Sequence, residues 1–355
     1  MKKPKQKMKK AKKVKRYIGI DLHTDCFTFC MLQEGSEPET HTFLLKGGLD
    51  RFIELLRPDD ELAIESTGNS RWFRERVQDH VARVVVVAPG EFKVIRHSAK
   101  KTDKNDAKAI AFFLSKGMLP ESRVKTKVQA DLLTAIRLRD QMTKQKVQCV
   151  NTAYALFNAR GIKIKKKGLA SEAGLKRAID GHEWNQLERG TLIAIEKQLN
   201  AILEHRKELD AEIEATAKTL RGYENLVSIK GVSMLSATTF LITIGDIRDF
   251  RKPGNLAAYF GITPRVSQSN DTQHVGRITK RGNRTARTRL VQCTLSAIKY
   301  SPYLRRFYDK IKSKRGAAGK AIIATARKLL NTIFYTLREN WVFEDFPNFE
   351  LKACN

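Results

Sequence analysis

The sequence contains no stretch of about 18 consecutive apolar residues, the length that a membrane-spanning helix needs. Its first residues are rich in lysine and lack the apolar segment of a secretory signal. We therefore expect no membrane span, no signal peptide and no membrane partner.

Cysteine is also scarce. The cysteines form an odd and scattered set without a Cys-x-x-Cys pair: Cys26, Cys30, Cys149, Cys293 and Cys354. This distribution argues against a disulfide framework and against a zinc site. It fits the reducing environment of the cytoplasm, where we expect the protein to be located.

Acidic residues are few relative to basic ones. The chain has 38 aspartates and glutamates against 67 lysines and arginines, which gives a formal net charge of +29. Such an excess suits a polyanionic partner, and nucleic acid is the first candidate, with an anionic membrane surface as the competitor. The 355 residues are enough for two or three domains with their own cores.

The first third of the chain alternates between strand and helix signals. Strands are predicted at residues 17–23, 25–33, 41–45, 61–66 and 82–88, and helices at 48–57, 70–80 and from 103 onwards. Four consecutive valines in the fifth strand indicate that both of its faces are covered. The order βββαβαβα predicts a mixed sheet with helices packed on it.

Two predicted strands carry an acid in an otherwise apolar segment. Asp21 lies between Ile20 and Leu22 in the first strand, and Glu65 follows an apolar run in the fourth. A buried acid is unfavourable unless it is paired or bound to a metal. If the two strands are neighbours, the two carboxylates converge at the strand ends. Other acids nearby (Asp25, Asp59, Asp60 and Glu61) are interpreted as turn or surface residues.

Two further acids occur at the start of the helix after the fifth strand. Asp103 and Asp106 are three residues apart and share a helix face if Asp103 is the N-cap. The alternative is that they only satisfy helix-end amides. Lys101 and Lys104 flank them and suit phosphate. With Asp21 and Glu65, they could hold two divalent cations about 3.5–4 Å apart.

The middle of the chain predicts long helices. Residues 128–159 form one helical pattern, and a heptad repeat runs from Leu192 to Leu220, interrupted by Arg206. The repeat predicts a coiled coil or an antiparallel hairpin, which either dimerises the protein or packs on the preceding helix.

The last third contains a polar, basic segment at residues 266–283, and a further helix is predicted at residues 321–338. Basic residues line this segment and the helix after it, so it is expected to face phosphate. The candidate nucleic-acid contacts are Lys101, Lys104, Arg265, Arg277, Lys280, Arg281, Arg284 and Arg287.

The motifs around the four acids resemble one family. Gly19-Ile-Asp21, Ile64-Glu65-Ser-Thr-Gly68 and Thr102-Asp103-Lys-Asn-Asp106 are similar to the DEDD signature of RuvC-like transposases with an RNase H fold. The particular family is the insertion-sequence recombinases guided by a bridge RNA, which are related to Piv-type DNA invertases. The resemblance covers residues 17–125 and 225–340.

The resemblance implies a fold class and a division into domains. The fold expected is α/β plus α-helical, with an RNase H/RuvC-like mixed sheet domain, a helical coiled-coil linker and a mostly helical C-terminal transposase domain. The expected boundaries are a basic disordered tail at 1–16, the DEDD domain at 17–125, the linker at 126–224, the transposase domain at 225–340 and a tail at 341–355.

The resemblance also implies a mechanism. Asp21, Glu65, Asp103 and Asp106 would bind Mg²⁺, two ions in all, and Ser269 would be the nucleophile that forms a covalent phosphoserine with DNA, with Ser267 as the alternative. The expected partners are DNA, a structured bridge RNA that guides the enzyme, and further copies of the chain. Two other functions stay open: a RuvC-like junction endonuclease that uses water, and a non-catalytic nucleic-acid scaffold.

Overall fold

The computed structural model describes residues 15–88, 102–269 and 272–342. The chain forms two compact units, Met1–Val124 and Lys125–Asn355. The predicted basic tail lies almost wholly outside the described residues, as do the residues after 342. Among the described residues, no helix has the length and apolar character needed to cross a membrane.

The first unit is a five-stranded mixed sheet with the predicted element order. Strand β1 lies at its centre, pairing antiparallel with β2 and parallel with β4, and the strand order is β3-β2-β1-β4-β5. The elements are β1 (Arg16–Leu22), β2 (Cys26–Gln33), β3 (Glu39–Leu44), α1 (Leu45–Leu55), β4 (Glu61–Glu65), α2 (Ser70–Val77), β5 (Arg83–Val87) and α3 (Asp103–Ser115). The predicted mixed sheet is confirmed.

One face of this sheet packs on α1 and α2. Alternate residues of the strands, including Ile20 and Ile64, are fully buried there with the phenylalanines of the two helices. The ring of Phe27 lies 5.2 Å from that of Phe52 and 5.1 Å from that of Phe73. Each buried ring stabilises the fold by about 1.5–3 kcal/mol, so this cluster fixes the sheet on which the site is built.

The other face of the sheet is covered by α3. Val85, Val87 and Ala63 of the two parallel strands pack against Ile110 and Leu114 of the helix.

The approach of α3 to β1 is closest at Gly19, which the first of the three motifs contains. A Cβ at this position would lie 2.3 Å from the carbonyl oxygen of Ala107 and 2.3 Å from the amide nitrogen of Ala111. Only glycine therefore lets the helix lie this close to the central strand.

The first residue of β1, Arg16, forms a buried ion pair. Arg16 donates to both carboxylate oxygens of Asp60, at 2.9 and 2.6 Å, and Asp60 is fully buried. Arg16 is thus the first residue of β1 rather than the end of a disordered tail. The interpretation of Asp60 as a turn or surface residue was wrong, because the buried guanidinium compensates its charge.

Two long helices begin the second unit. Helix α4 (Lys127–Ala159) and helix α6 (Gln186–Ala217) each start with a capping box, formed by Thr126 with Gln129 and by Asn185 with Glu188. Between them lies α5 (Glu172–Asp180).

The two long helices pack antiparallel. The end of α4 contacts the start of α6 through Phe157 and Leu192, and the start of α4 contacts the end of α6 through Ile136 and Ile213. The ion pair Arg139–Asp210, at 2.9 Å, lies between these two contacts. The heptad residues are thus covered within the chain, as in the hairpin alternative. Self-association stays a prediction.

The rest of the second unit is mostly helical. Its elements are α7 (Tyr223–Val227), α8 (Met234–Ile244), α9 (Pro253–Tyr259), β6 (Pro264–Ser269), β7 (Thr272–Ile278), α10 (Arg284–Tyr300), α11 (Pro302–Arg315) and α12 (Ala318–Arg338). A single apolar cluster joins these helices, with Phe240, Phe260, Leu290 and Leu330 among its fully buried members. The polar, basic segment identified at residues 266–283 contains most of a two-stranded hairpin, β6–β7.

Candidate active site and nucleic-acid interface

Asp21 lies near the end of β1, on the sheet face covered by α3. It is one of the few charged residues in the core, with 6% of its surface exposed. Burial raises its pKa, His23 counteracts that rise, and the nearby carboxylates of Asp103 and Asp106 raise the pKa further. Three acids of the predicted cluster are therefore close enough to interact electrostatically.

Glu65 is the last residue of β4, the parallel neighbour of β1. The register pairs Ile20 with Ile64, so the next residues, Asp21 and Glu65, lie side by side. Glu65 also pairs with Val87, which packs on α3, and this places both acids on the same face of the sheet. Glu65 is half-buried.

The other two acids, Asp103 and Asp106, lie in the first turn of α3. Thr102, not Asp103, is the N-cap, because its side chain accepts from the amide of Asn105 at 3.3 Å. The expectation that Asp103 caps the helix was wrong. Asp103 is the first helical residue and its side chain is 57% exposed, whereas Asp106 is buried. The carboxylate of Asp103 is consequently available to the site.

His23, just beyond the end of β1, lies between two of the acids. Its Nε2 atom is 3.4 Å from Oδ2 of Asp21 and 3.4 Å from Oδ2 of Asp103. Sequence reasoning missed this residue. The signal that could have found it is its spacing, because residues two apart along an extended chain project to the same face.

The turn after β4 holds His23 in place. The side-chain amide of Asn69 donates to the carbonyl oxygen of His23 at 2.8 Å, and the hydroxyl of Thr67 donates to Oδ1 of Asn69 at 2.9 Å. The amide of His23 also donates to the carbonyl of Cys26 at 2.9 Å. The segment after Glu65 is thus joined to the end of the strand that carries Asp21.

The donor set fits a divalent cation. Asp21, His23 and Asp103 each offer a ligand atom, and these atoms lie within 4.8 Å of one another. Carboxylate oxygens are the ligands that Mg²⁺ prefers. Glu65 and Asp106 are not members of this group of three: Glu65 ends the neighbouring strand on the same sheet face, and Asp106 is near enough to raise the pKa of Asp21.

The lysines near this cluster are only partly described. Lys104 is exposed on the first turn of α3, next to Asp103. The prediction for Lys101 lies outside the described residues.

The candidate nucleophiles lie on the β6–β7 hairpin of the second unit. Ser269 is the last residue of β6 and pairs with Thr272 of β7, and Ser267 pairs with His274. Ser267 is exposed. Both serines are on one strand, two residues apart, so the choice between them stays open.

Basic side chains surround this hairpin. Exposed members of the set lie on both strands, in the segment between β7 and α10, and at the start of α10: Arg265, Arg277, Lys280, Arg281 and Arg284. The side chain of Asn283 caps α10 by accepting from the amide of Ala286 at 3.1 Å. A helix N-terminus with arginines beside it is a favourable place for phosphate.

Arg287 differs from the other basic residues. It is half-buried, and its Nη1 donates to the carbonyl oxygens of Phe260 at 3.3 Å and Arg281 at 3.2 Å. Gly282 contributes to the same close packing, because a Cβ there would lie 2.0 Å from the carbonyl of Tyr259. In this structure Arg287 supports the loop that carries Arg281.

Comparisons with known proteins agree with this arrangement. Residues 18–159 match a transposase family of the IS110 DEDD type, and residues 223–309 match the family described as Transposase IS116/IS110/IS902. The first match contains the four acids, and the second contains both candidate serines.

Similar proteins extend over most of the chain. The transposase for insertion sequence element IS1111A of Coxiella burnetii is 24% identical over 328 residues, which cover 91% of this chain and 90% of the relative. The pilin gene-inverting protein of Moraxella lacunata is 24% identical over 349 residues, covering 93% and 98%. A probable family 20 transposase of Pseudomonas aeruginosa is 24% identical over 277 residues, covering 77% and 81%.

The mixed sheet, with one acid at the end of each of two parallel strands and a second pair of acids on the covering helix, defines a DEDD domain of the RNase H class. A mostly helical unit follows it. The protein belongs to the IS116/IS110/IS902 family of transposases, enzymes that cut and rejoin DNA, and the match to the pilin gene-inverting protein agrees with the expected relation to DNA invertases.

Proposed function

We propose that this transposase binds two Mg²⁺ ions through Asp21, Glu65, Asp103 and Asp106. The observation that carries this proposal is the buried carboxylate of Asp21, which shares a sheet face with Glu65 and interacts with the carboxylates of Asp103 and Asp106. Bound Mg²⁺ would supply charge neutralisation at the attacking and leaving oxygens of a phosphodiester. The four side chains orient and hold that centre, and α3 shields Asp21 from bulk water.

Ser269 is the proposed nucleophile, with Ser267 as the alternative. Its Oγ forms a bond to a DNA phosphorus as one bridging P–O bond breaks, and the serine proton passes to the departing oxygen, which becomes a free DNA hydroxyl. A hydroxyl of a second strand then attacks the phosphoserine, forms a new P–O bond and releases the serine. The energy of the broken bond is retained in the covalent link, so rejoining needs no external energy source.

The acids belong to one unit and the serines to the other. We propose that the two parts of the active site come together on DNA, donated by different protomers of a homo-oligomer. The resemblance to the DEDD family supports this part of the proposal.

A structured RNA is the proposed guide. Base pairing would select the target and donor DNA, and the protein would contact the RNA through its shape and its backbone. The net charge of +29 and the exposed basic residues around the hairpin support this part of the proposal.

Mass spectrometry of protein trapped on DNA tests the nucleophile. The chain is incubated with Mg²⁺ and nicked DNA that carries the ends of its insertion sequence, and peptides are searched for a nucleotide adduct. We expect an adduct on Ser269, its loss in Ser269→Ala, and its loss in Asp21→Asn.

Three other results would change the assignment. An adduct on Ser267, two residues from Ser269 on the same strand, would identify Ser267 as the nucleophile. Cleavage without an adduct, unchanged in Ser269→Ala, would indicate a junction endonuclease that uses water. Full recombination by Asp21→Asn would exclude the acidic centre and leave a nucleic-acid scaffold.

A further inference from the structure

His23 is the one imidazole that the structure places against the acidic cluster among the described residues. We propose that His23 is a ligand of one of the two ions, shared with Asp21 and Asp103, and that it shifts the preference of this site from Mg²⁺ towards Mn²⁺. This inference rests on the proposed metal centre and adds a nitrogen donor to it.

The first argument is the distance between ligand atoms. Nε2 of His23 lies 3.4 Å from one oxygen of Asp21 and 3.4 Å from one oxygen of Asp103. Two ligands about 2.1 Å from a common ion lie about 3.0–3.4 Å apart in octahedral to tetrahedral geometry. Nε2 of His23 is therefore spaced from each carboxylate oxygen as two ligands of one ion are, and all three groups offer atoms within 4.8 Å of one another.

The second argument is the equality of the two distances. An imidazole nitrogen has either one proton or one lone pair, so it can form one strong hydrogen bond at a time. At 3.4 Å, Nε2 lies at the outer limit of hydrogen-bond distance from both carboxylates. A position equally distant from both carboxylates suits an ion that all three groups bind.

The third argument is the support of the histidine. The side-chain amide of Asn69 donates to the backbone carbonyl oxygen of His23 at 2.8 Å, and the hydroxyl of Thr67 donates to Oδ1 of Asn69 at 2.9 Å. These residues come from the turn that follows Glu65, so the backbone of His23 is fixed relative to two of the acid-bearing strands. They hold the backbone from which the imidazole projects towards Asp21 and Asp103.

The chemical consequence is a change in metal preference. Carboxylate-only sites suit Mg²⁺, Ca²⁺ and Mn²⁺, whereas imidazole favours first-row transition metals. The neutral imidazole adds a donor without adding negative charge. We expect Mn²⁺ to bind more tightly than Mg²⁺ by a factor that depends on His23.

The experiment measures Mn²⁺ and Mg²⁺ binding to the full chain without nucleic acid, by titration calorimetry and by electron paramagnetic resonance of free Mn²⁺. We expect His23→Ala to weaken Mn²⁺ binding about tenfold or more and Mg²⁺ binding much less. His80→Ala, an exposed histidine on the same unit, is the matched control and is expected to leave both affinities unchanged.

A spectroscopic readout makes the test independent of variant folding. Mn²⁺ bound to the unmodified chain is expected to show electron spin-echo modulation from a directly coordinated ¹⁴N nucleus, and His23→Ala is expected to lack it. Two results would overturn the role of His23 and leave the proposed function standing. One is the absence of this ¹⁴N signal in the unmodified chain. The other is an unchanged Mn²⁺ affinity in His23→Ala while Asp21→Asn loses Mn²⁺ binding. If Asp21→Asn also bound Mn²⁺ normally, the metal centre itself would be wrong.

Discussion

At the scale of single residues, the candidate active site contains a buried acid that the fold alone would not favour. Asp21 is buried in an apolar strand, and its nearest charged neighbours include two more carboxylates. Buried acids of this kind are retained at sites where a metal or a reacting group uses them, and they lower the stability of the protein without that partner.

Replacing this acid is expected to stabilise the metal-free protein. Because the folded-state pKa of Asp21 is raised above the ordinary value of 3.8, the folded state holds the proton more readily, and the free energy of unfolding falls as the pH rises from 3.8 through the folded-state pKa. The whole of this destabilisation is present once the pH is above the folded-state pKa of Asp21. Asp21→Asn removes it, and a gain of about 1 kcal/mol would raise Tm by about 2–4 °C.

The measurement is thermal unfolding with a chelator present, at neutral pH and at progressively lower pH. The advantage of Asp21→Asn should shrink as the pH falls towards and below 3.8, since Asp21 then becomes protonated in both the folded and the unfolded state. Asp50→Asn, an exposed acid of α1, is the control. An Asp21→Asn protein that is less stable at neutral pH would contradict the argument.

At the scale of elements, the site depends on how closely α3 lies on β1. The helix carries Asp103 and Asp106, the strand carries Asp21, and the distance between them is set at Gly19. Because the side chain of Thr102 caps the helix, the carboxylate of Asp103 is not used as the cap and can contribute to the site.

Gly19→Ala is expected to separate the helix from the strand. The new methyl group would meet backbone atoms of α3 at 2.3 Å, which no side-chain rotation can relieve. Overpacking of this kind lowers the free energy of unfolding by about 1–3 kcal/mol. Because α3 must shift, the affinity for Mn²⁺ should also fall.

Denaturant unfolding and metal titration of the same protein check this expectation. Gly68→Ala is the control for stability, because a Cβ there meets no atom within 4 Å. Normal stability and normal metal affinity in Gly19→Ala would show that the helix position does not control the site.

At the scale of the whole molecule, the dominant property is positive charge. The net charge of +29 is spread along the chain, and an exposed group of basic residues surrounds the β6–β7 hairpin. A protein that neutralises many phosphates releases their counterions, so its affinity for nucleic acid falls steeply with salt concentration.

The basic residues of the hairpin are expected to fall into two classes. Arg281→Ala should weaken binding to DNA and to structured RNA and reduce the salt slope by about 1, as expected for one lost phosphate contact. Arg287→Ala should instead lower Tm, because its guanidinium bonds the carbonyls of Phe260 and Arg281. Fluorescence anisotropy over a range of salt concentrations and thermal unfolding separate the two effects. An unchanged salt slope in Arg281→Ala would remove this residue from the interface.

The sequence by itself determined the local elements and the type of chemistry. Alternation of apolar and polar residues predicted the order of strands and helices, and the acids within apolar strands indicated a metal site, because both signals come from residues near each other in the chain. The charge excess likewise indicated nucleic acid without any structure. The family matches then confirmed a DEDD transposase.

Only the tertiary structure decided what depends on contacts between distant residues. It showed that Asp21 and Glu65 share a face, since strand register is set by pairing and not by either strand alone. It placed Thr102 at the cap, brought His23 between two acids, and covered the heptad seam of α6 with α4. It also buried Asp60 against Arg16. Most of these outcomes depend on a contact with a residue many positions away in the chain. The N-cap depends on whether Thr102 or Asp103 bonds the first amides of the helix. A periodic pattern in the sequence contains neither kind of information.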